Sequence, residues 1–360
     1  GLVRAVAHAS GLGHYELTLN GRRVGEDLFA PGWTNYARTV LYDTHDVTAL
    51  LTTGRNAAGF LLGNGMYHVV RRNRFAKFTG SFGPLRAVLH LRLEYADGSV
   101  EYAGTNAGWR SHPGPITYSS VYGGEDYDAR LEPRGWNTAA FDDRGWGPVV
   151  PVIGLEHAMR GLSAAADPIR PIAERPCVSS RAFPDKTVVY DFGQNAAFVP
   201  RLRVAGPAGS TVRLTPSEIL FPDGTIDRRT MGSEARGVSW WQYTKATDGE
   251  ETWVPSFYYV GSRYVRAESF GPGGAPVLAT TEDEQARQRR VAPDSPLAPT
   301  IVSLDAVIVH SSAQPAGRFE ASDPLLNRIR DLVRWAQRSN MVSVLTDCTH
   351  REKLGWLEQY

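Results

Sequence analysis

Cysteine is scarce. Cys177 and Cys348 are the only two in 360 residues, too few for a disulfide framework and without the paired spacing of a zinc site. No apolar run approaches the roughly 18 residues of a membrane-spanning helix. Charge of one sign is also lacking: 39 Lys and Arg face 38 Asp and Glu, a formal net charge of +1. That balance gives no basic excess for nucleic acid or anionic lipid, and neither partner is expected. No GxGxxG or GKS/T stretch offers a phosphate cradle. The first residues, GLVRAVAHASGLGHYELTLNG, lack the charged, apolar and cleavable regions of a signal peptide. They read as strand and turn without an initiator Met. Both ends give the expectation of a piece of a longer protein, either cytoplasmic or secreted, and set no oligomeric state.

What is present points to β structure. Thirteen Phe, 9 Trp and 15 Tyr accompany 36 Gly and 23 Pro, the turn-rich and aromatic composition expected of a carbohydrate-handling protein. Hydrophobic residues at 42% and charged residues at 21% are an ordinary globular balance, and the length allows two or three domains.

Short alternating runs broken by Gly, Asn, Asp and Pro fill residues 15–155. YELTLNGRRVG reads as strand, Asn20-Gly21 turn and strand. A second β region follows, through TVVYDFGQNAAFVPRLRVAG, WWQYTKAT and SRYVRAESFG. Gly193-Gln194-Asn195 and Gly261-Ser262-Arg263 read as turns, as do the acidic stretches 125–128 and 142–143. Pro151 and the small residues 163–166 read as hinge material. Near Arg318 the character changes: Ser322-Asp323-Pro324 is a helix start, and Leu325, Ile329, Leu332, Val333 and Ala336 form one apolar stripe. The expected division is a β-sandwich over 1–160, a second sandwich over 161–315 with an exposed insertion at about 271–299, and the opening of a helical domain over 316–360.

The most chemically equipped segment is the last, TDCTHREKLGWLEQY. Glycosidic cleavage needs one carboxylic acid to protonate the leaving oxygen and a second carboxylate to attack or to activate water. The acid needs a raised pKa. Glu352 suits that role, with Leu354 and Trp356 as apolar surroundings and Asp347 or Glu358 as a like-charge neighbour. Spacing alone also permits a plain charged loop in which Arg351, Glu352 and Lys353 pair with each other and water, with Trp356 in the core. Trp33 with Asn35 offers a flat face beside an amide, an accessory sugar contact or simply a packed aromatic. No metal or cofactor is expected.

Four stretches, in order, resemble the bacterial α-L-rhamnosidases, inverting glycoside hydrolases with an (α/α)6 catalytic barrel. LNGRRVGEDLFAPGWTNYARTVLYDTHDVTALL is similar to that family's N-terminal sandwich. VVYDFGQNAAFVPRLRV with GSTVRLTPSEIL, and then ETWVPSFYYVGSRYVRAE, resemble the sandwich that follows. AGRFEASDPLLNRIRDLVRWAQRSNMVSVLTDCTHREKLGW resembles the beginning of the barrel.

The resemblance implies a mainly β chain: two successive antiparallel β-sandwiches and then the start of an (α/α)6 barrel. It implies that Glu352 is the proton donor and that Asp347, Arg351 and Trp356 grip a terminal rhamnose of a glycan or glycoside. Thr349 stands where many members have Pro. Gln359 stands where a sugar-contacting Asp is common, with Glu358 beside it as the candidate replacement. The family's general base is a glutamate farther along the barrel, so the chain ending at Tyr360 is expected to be inactive alone. Two other readings stay open: a glycosidase of the same barrel acting on another sugar, and a non-catalytic carbohydrate-binding protein.

Overall fold

The computed structural model describes residues 1–70, 74–152, 159–161, 167–232, 237–273 and 289–356. It is mainly β, and no helix among these residues is long and apolar enough to cross a membrane.

In the first region, alternation builds a core between two sheets. The strand Leu2–Leu12 lies between Val40–Asp46 and Arg86–Tyr95 in a five-stranded sheet, with Val100–Gly104 and Met159–Gly161 at its edges. His14–Leu19 and Ala58–Gly63 belong to a three-stranded sheet. Successive side chains of a strand point to opposite faces. Ala5, Ala7 and Ala9 therefore meet Tyr15, Leu17 and Leu19 in one buried cluster with Leu89 and Leu91. The small alanines leave room for the larger facing residues. Asn20 and Gly21 form the expected two-residue hairpin loop, both left-handed at φ 51° and 78°, which is the backbone this turn requires.

The second region is a ten-stranded sheet around a core that includes Phe198, Leu202, Val212, Trp241, Tyr258 and Val265. Its longest strand, Thr187–Ala205, shifts register between Asp191 and Ala196. The Gly193 turn is thus a bulge inside one strand, with Gly193 at φ 73°. Among the described residues the strands pair antiparallel except at two joins, and Arg74 and Val238 add an isolated parallel bridge. Met159–Gly161 runs parallel to Val40–Asp46, and Gly124–Asp128 runs parallel to Trp240–Thr244.

That second join crosses the expected division at residue 160. Ile116–Ser120 and Gly124–Asp128 precede it in sequence but hydrogen-bond into the second sheet. The acidic stretch 125–128 is accordingly a strand and not a turn. Glu125 is fully buried and accepts the backbone N–H groups of Ser256 and Phe257 at 3.0 and 2.7 Å. Burial pushes its pKa up to about 8 against the pull of those two bonds. Asp126 pairs with Arg74, whose guanidinium lies 3.5 Å over Trp240.

Of the expected insertion, residues 274–288 lie outside the described residues, as do the hinge residues 163–166; Pro151 is exposed. The insertion's far end is exposed in part, at Arg289, Pro293, Asp294, Pro296 and Leu297, and anchored in part. Arg290 is buried and donates to the buried Glu268 at 2.7 Å, because a guanidinium brought under the sheet needs a carboxylate partner there.

The third segment is seated on both regions. Leu28 and Phe29 from the first, Ala197, Val199, Val307 and Val309 from the second, and Val342 share one core. At about 1.5–3 kcal/mol for each large apolar side chain taken out of water, this core fixes the root of the C-terminal loop.

Candidate active site

The helix Pro324–Ser339 begins as its sequence dictates. Asp323 caps it, accepting the Leu325 N–H at 2.8 Å, and Pro324 occupies the first turn. Trp335 packs on the second core, and Ser339 Oγ accepts the Ala197 N–H at 3.2 Å. The apolar stripe faces away: Leu325, Leu332 and Val333 are 60%, 67% and 62% exposed. A short hairpin follows, Met341–Val342 with Val344–Leu345, turning at Ser343. Ser343 Oγ accepts the Trp33 N–H at 2.7 Å.

Residues 346–355 then close on themselves. Thr346 bridges Gly355, Asp347 N–H donates to Leu354 O at 3.0 Å, and Lys353 N–H donates to Cys348 O at 3.1 Å. The Glu352 N–H meets Cys348 Sγ at 3.2 Å. Lys353 stands in the left-handed region at φ 51°, which reverses the chain and sends its side chain inward. Its ammonium is buried, donates to Val121 O and Tyr259 O at 2.6 Å each, and lies 4.6 and 4.4 Å over the Tyr258 and Tyr259 rings. Lys353 is therefore not the solvated partner of Glu352 that a plain charged loop requires. His350 is also mostly buried, with Nε2 3.5 Å from Glu218, and burial lowers its pKa.

Glu352 lies on the other side of this loop. Its side chain is 16% exposed, and Lys77 of the first region donates to Oε1 at 2.7 Å. The expected raised pKa is not what the structure shows. The hydrogen bond from Lys77, opposed by partial burial and helped by the neighbouring Asp347 carboxyl, lowers it. Apolar neighbours in sequence do not outweigh a cation in contact. Asp347 thus lies beside Glu352, and its Oδ1 meets the Leu354 N–H at 3.4 Å. Burial and the charges of Asp347 and Glu352 raise the pKa of Tyr122.

Arg351 is exposed, with Nε 3.9 Å from Glu352, and Trp356 is 41% exposed. Glu358 lies outside the described residues. Trp33 packs half-buried on the cluster containing Tyr36 and Tyr67, while Asn35 is exposed and its side chain accepts the Ala37 N–H at 3.1 Å. The loop therefore brings together Asp347, Arg351 and Glu352. Lys77, 275 positions away from Glu352, carries no local sequence signal that sequence reasoning could have used.

The loop depends on a glycine. Gly261, in the strand Val260–Phe270, donates its N–H to Thr349 O at 3.2 Å, and a Cβ there would collide with Thr349 Oγ1. Gly261→Ala is expected to lift residues 347–352 from the sheet at a cost of about 1–3 kcal/mol. Denaturant unfolding measures it, and an unchanged midpoint would show that the loop does not rest there.

Three family descriptions match in chain order. Residues 1–172 match the alpha-L-rhamnosidase N-terminal domain, 181–286 the bacterial alpha-L-rhamnosidase concanavalin-like domain, and 314–360 the bacterial alpha-L-rhamnosidase 6 hairpin glycosidase domain. The chain belongs to the bacterial α-L-rhamnosidase family.

Within that family, an α-L-rhamnosidase of Streptomyces avermitilis is 37% identical over 98% of this chain, which covers 31% of that relative. One from Formosa agariphila is 31% identical over 98% of this chain, with 35% of the relative covered. The chain spans about a third of the length of these curated α-L-rhamnosidases. The crystal structure of the S. avermitilis α-L-rhamnosidase complexed with L-rhamnose superposes with a TM-score of 0.82 at 35% identity, covering 99% of this chain and 32% of that one. The mainly β architecture with a helix at its end agrees with the N-terminal portion of those rhamnosidases.

Proposed function

We propose that the protein carrying this chain hydrolyses terminal α-L-rhamnosyl residues of glycans or glycosides with inversion at the anomeric carbon. Glu352 donates the proton to the departing oxygen, and Asp347, Arg351 and Trp356 hold the sugar, with Glu358 as a further contact. In this reading the two β regions, the second taking in Ile116–Ser120 and Gly124–Asp128, are the platforms, and residues 316–360 open the catalytic barrel.

The observation that carries the reading is the contrast within one loop. Lys353 is locked inward by two carbonyls, while the adjacent Glu352 keeps its carboxyl partly open beside Asp347. An inverting reaction needs its two carboxyl groups about 6.5–9.5 Å apart, with a water between. Asp347 is close enough to hydrogen-bond with Glu352, which leaves no space for that water. That spacing argues against Asp347 as the base, and the family resemblance supports a sugar-holding role for it with the base supplied elsewhere in the whole protein.

For the binding-only reading through Trp33 and Asn35, the Trp33 ring packs half-buried on the cluster with Tyr36 and Tyr67, which is the packed-aromatic arrangement. The test is a panel of nitrophenyl glycosides offered to the protein expressed from its whole open reading frame. Release from the α-L-rhamnoside alone is the expected result. Release from a different glycoside instead would assign another sugar, and release from none would remove the hydrolase reading.

A further inference from the structure

We infer that Lys77 is a positioning residue for Glu352: the first β region reaches across to the loop of the third segment and sets both the orientation and the proton affinity of its carboxyl group. The inference rests on the reading of Glu352 as the proton donor.

The geometry has three parts. The first is the contact, with Lys77 Nζ 2.7 Å from Glu352 Oε1 and the two side chains only 32% and 16% exposed. Partial removal from water makes such a pair count for more than an open surface pair. The second is the presentation of Lys77. Phe75 and Ala76 are buried in the core that also contains Val121 and Tyr122, and Phe78 meets the Tyr122 ring edge-on at 5.4 Å. Residues on both sides of Lys77 are tied down, so its ammonium is held toward the loop.

The third is the mounting of Glu352. Its own loop is fixed to the same part of the molecule by Lys353, through Val121 O. Donor and acceptor are thus anchored to one core by separate contacts.

Among the described residues, the charged and titratable groups around Glu352 are few. Its own loop supplies Asp347, Arg351 and the Cys348 thiol, and the turn after Ile116–Ser120 supplies Tyr122. Lys77 is the cation in direct hydrogen-bond contact, whereas Arg351 stands at 3.9 Å. A proton donor must hold its proton at the working pH. An ammonium fixed against Glu352 therefore draws the alkaline limb of activity toward lower pH and aims the carboxyl at one place.

The test is a ¹³C-NMR titration of Glu side-chain carboxyls in the 360-residue chain, with Glu352→Gln identifying the signal. Lys77→Met is expected to move the Glu352 titration up by about one pH unit or more, and Lys77→Arg to leave it near wild type. Lys77→Gln serves the same purpose if the Met variant does not fold. An unchanged Glu352 titration in a folded Met or Gln variant would overturn the inference.

Hydrolysis of a rhamnoside with a sugar leaving group, by the protein from its whole open reading frame, separates this from the functional reading. Hydrolysis that requires Glu352 but keeps its pH profile in Lys77→Met removes the role of Lys77 alone. A titration shift together with no rhamnoside hydrolysis removes the proton-donor role on which the inference rests.

Discussion

Glu352→Gln is expected to slow hydrolysis of rhamnosides with sugar or alkyl leaving groups by about 10²–10⁴-fold, the range for loss of a positioned general acid. It should slow 4-nitrophenyl α-L-rhamnoside far less. A nitrophenolate departs without being protonated, whereas a sugar alkoxide does not, so the two substrates report separately on proton donation. The substitution is nearly isosteric, and the Gln carbonyl can still accept from Lys77, which now donates to Glu352 at 2.7 Å. Folding and rhamnose affinity should therefore change little. Equal losses on both substrates would indicate that Glu352 shapes the pocket without donating the proton.

The second large effect concerns the residue beside it. Lys353→Met keeps the length of the stem but leaves the carbonyls of Val121 and Tyr259 without the donor they now share at 2.6 Å. At about 1–3 kcal/mol for each buried group left unsatisfied, the loss should be about 2–4 kcal/mol, after allowance for the desolvation that a neutral side chain escapes.

The pH dependence has a definite sign. Burial lowers the Lys353 pKa from 10.5 to about 7 in the folded chain. Between those values the unfolded chain holds one more proton than the folded chain at this site, so the site's contribution to stability rises with pH, by at most about 1.4 kcal/mol per pH unit. It is smallest below about pH 7. The Met variant lacks this rise, and urea unfolding should show a wider gap from wild type at about pH 9 than at about pH 6. A gap that narrows over that range would contradict the burial of a titrating amine at this position.

Much of the fold was legible because it follows from local rules. Asn20-Gly21 allows the left-handed pair a tight hairpin needs, and Asp323-Pro324 supplies both a capping carboxylate and a fixed first φ. The first residues read as strand and turn, and Leu2–Leu12 is a strand. The stripe from Leu325 to Ala336 marked which side of the helix is apolar, although the helix docks through Trp335 and Ser339 and leaves that stripe uncovered.

What was not legible depends on contacts between distant segments. Nothing near Glu125 reveals that its carboxylate meets two backbone N–H groups 131 and 132 positions away, so an internal strand read as an acidic turn. The motif at 347–356 was legible as chemistry but not as electrostatics. Leu354 and Trp356 suggested an apolar surrounding, while the decisive neighbour is Lys77. The inward turn of Lys353 follows from a left-handed backbone that composition gives no reason to expect. A charged run reads as solvated until its backbone path is known.

In the proposed reaction Glu352 protonates the departing oxygen while a base elsewhere in the whole protein activates water on the opposite face of the rhamnose. The most direct measurement is ¹H-NMR of the sugar as it is first released from an α-L-rhamnoside, before mutarotation. The β-anomer should appear first. Initial release of the α-anomer would mean a nucleophile close to the acid, and the division of roles between Glu352, Asp347 and a base elsewhere would be wrong.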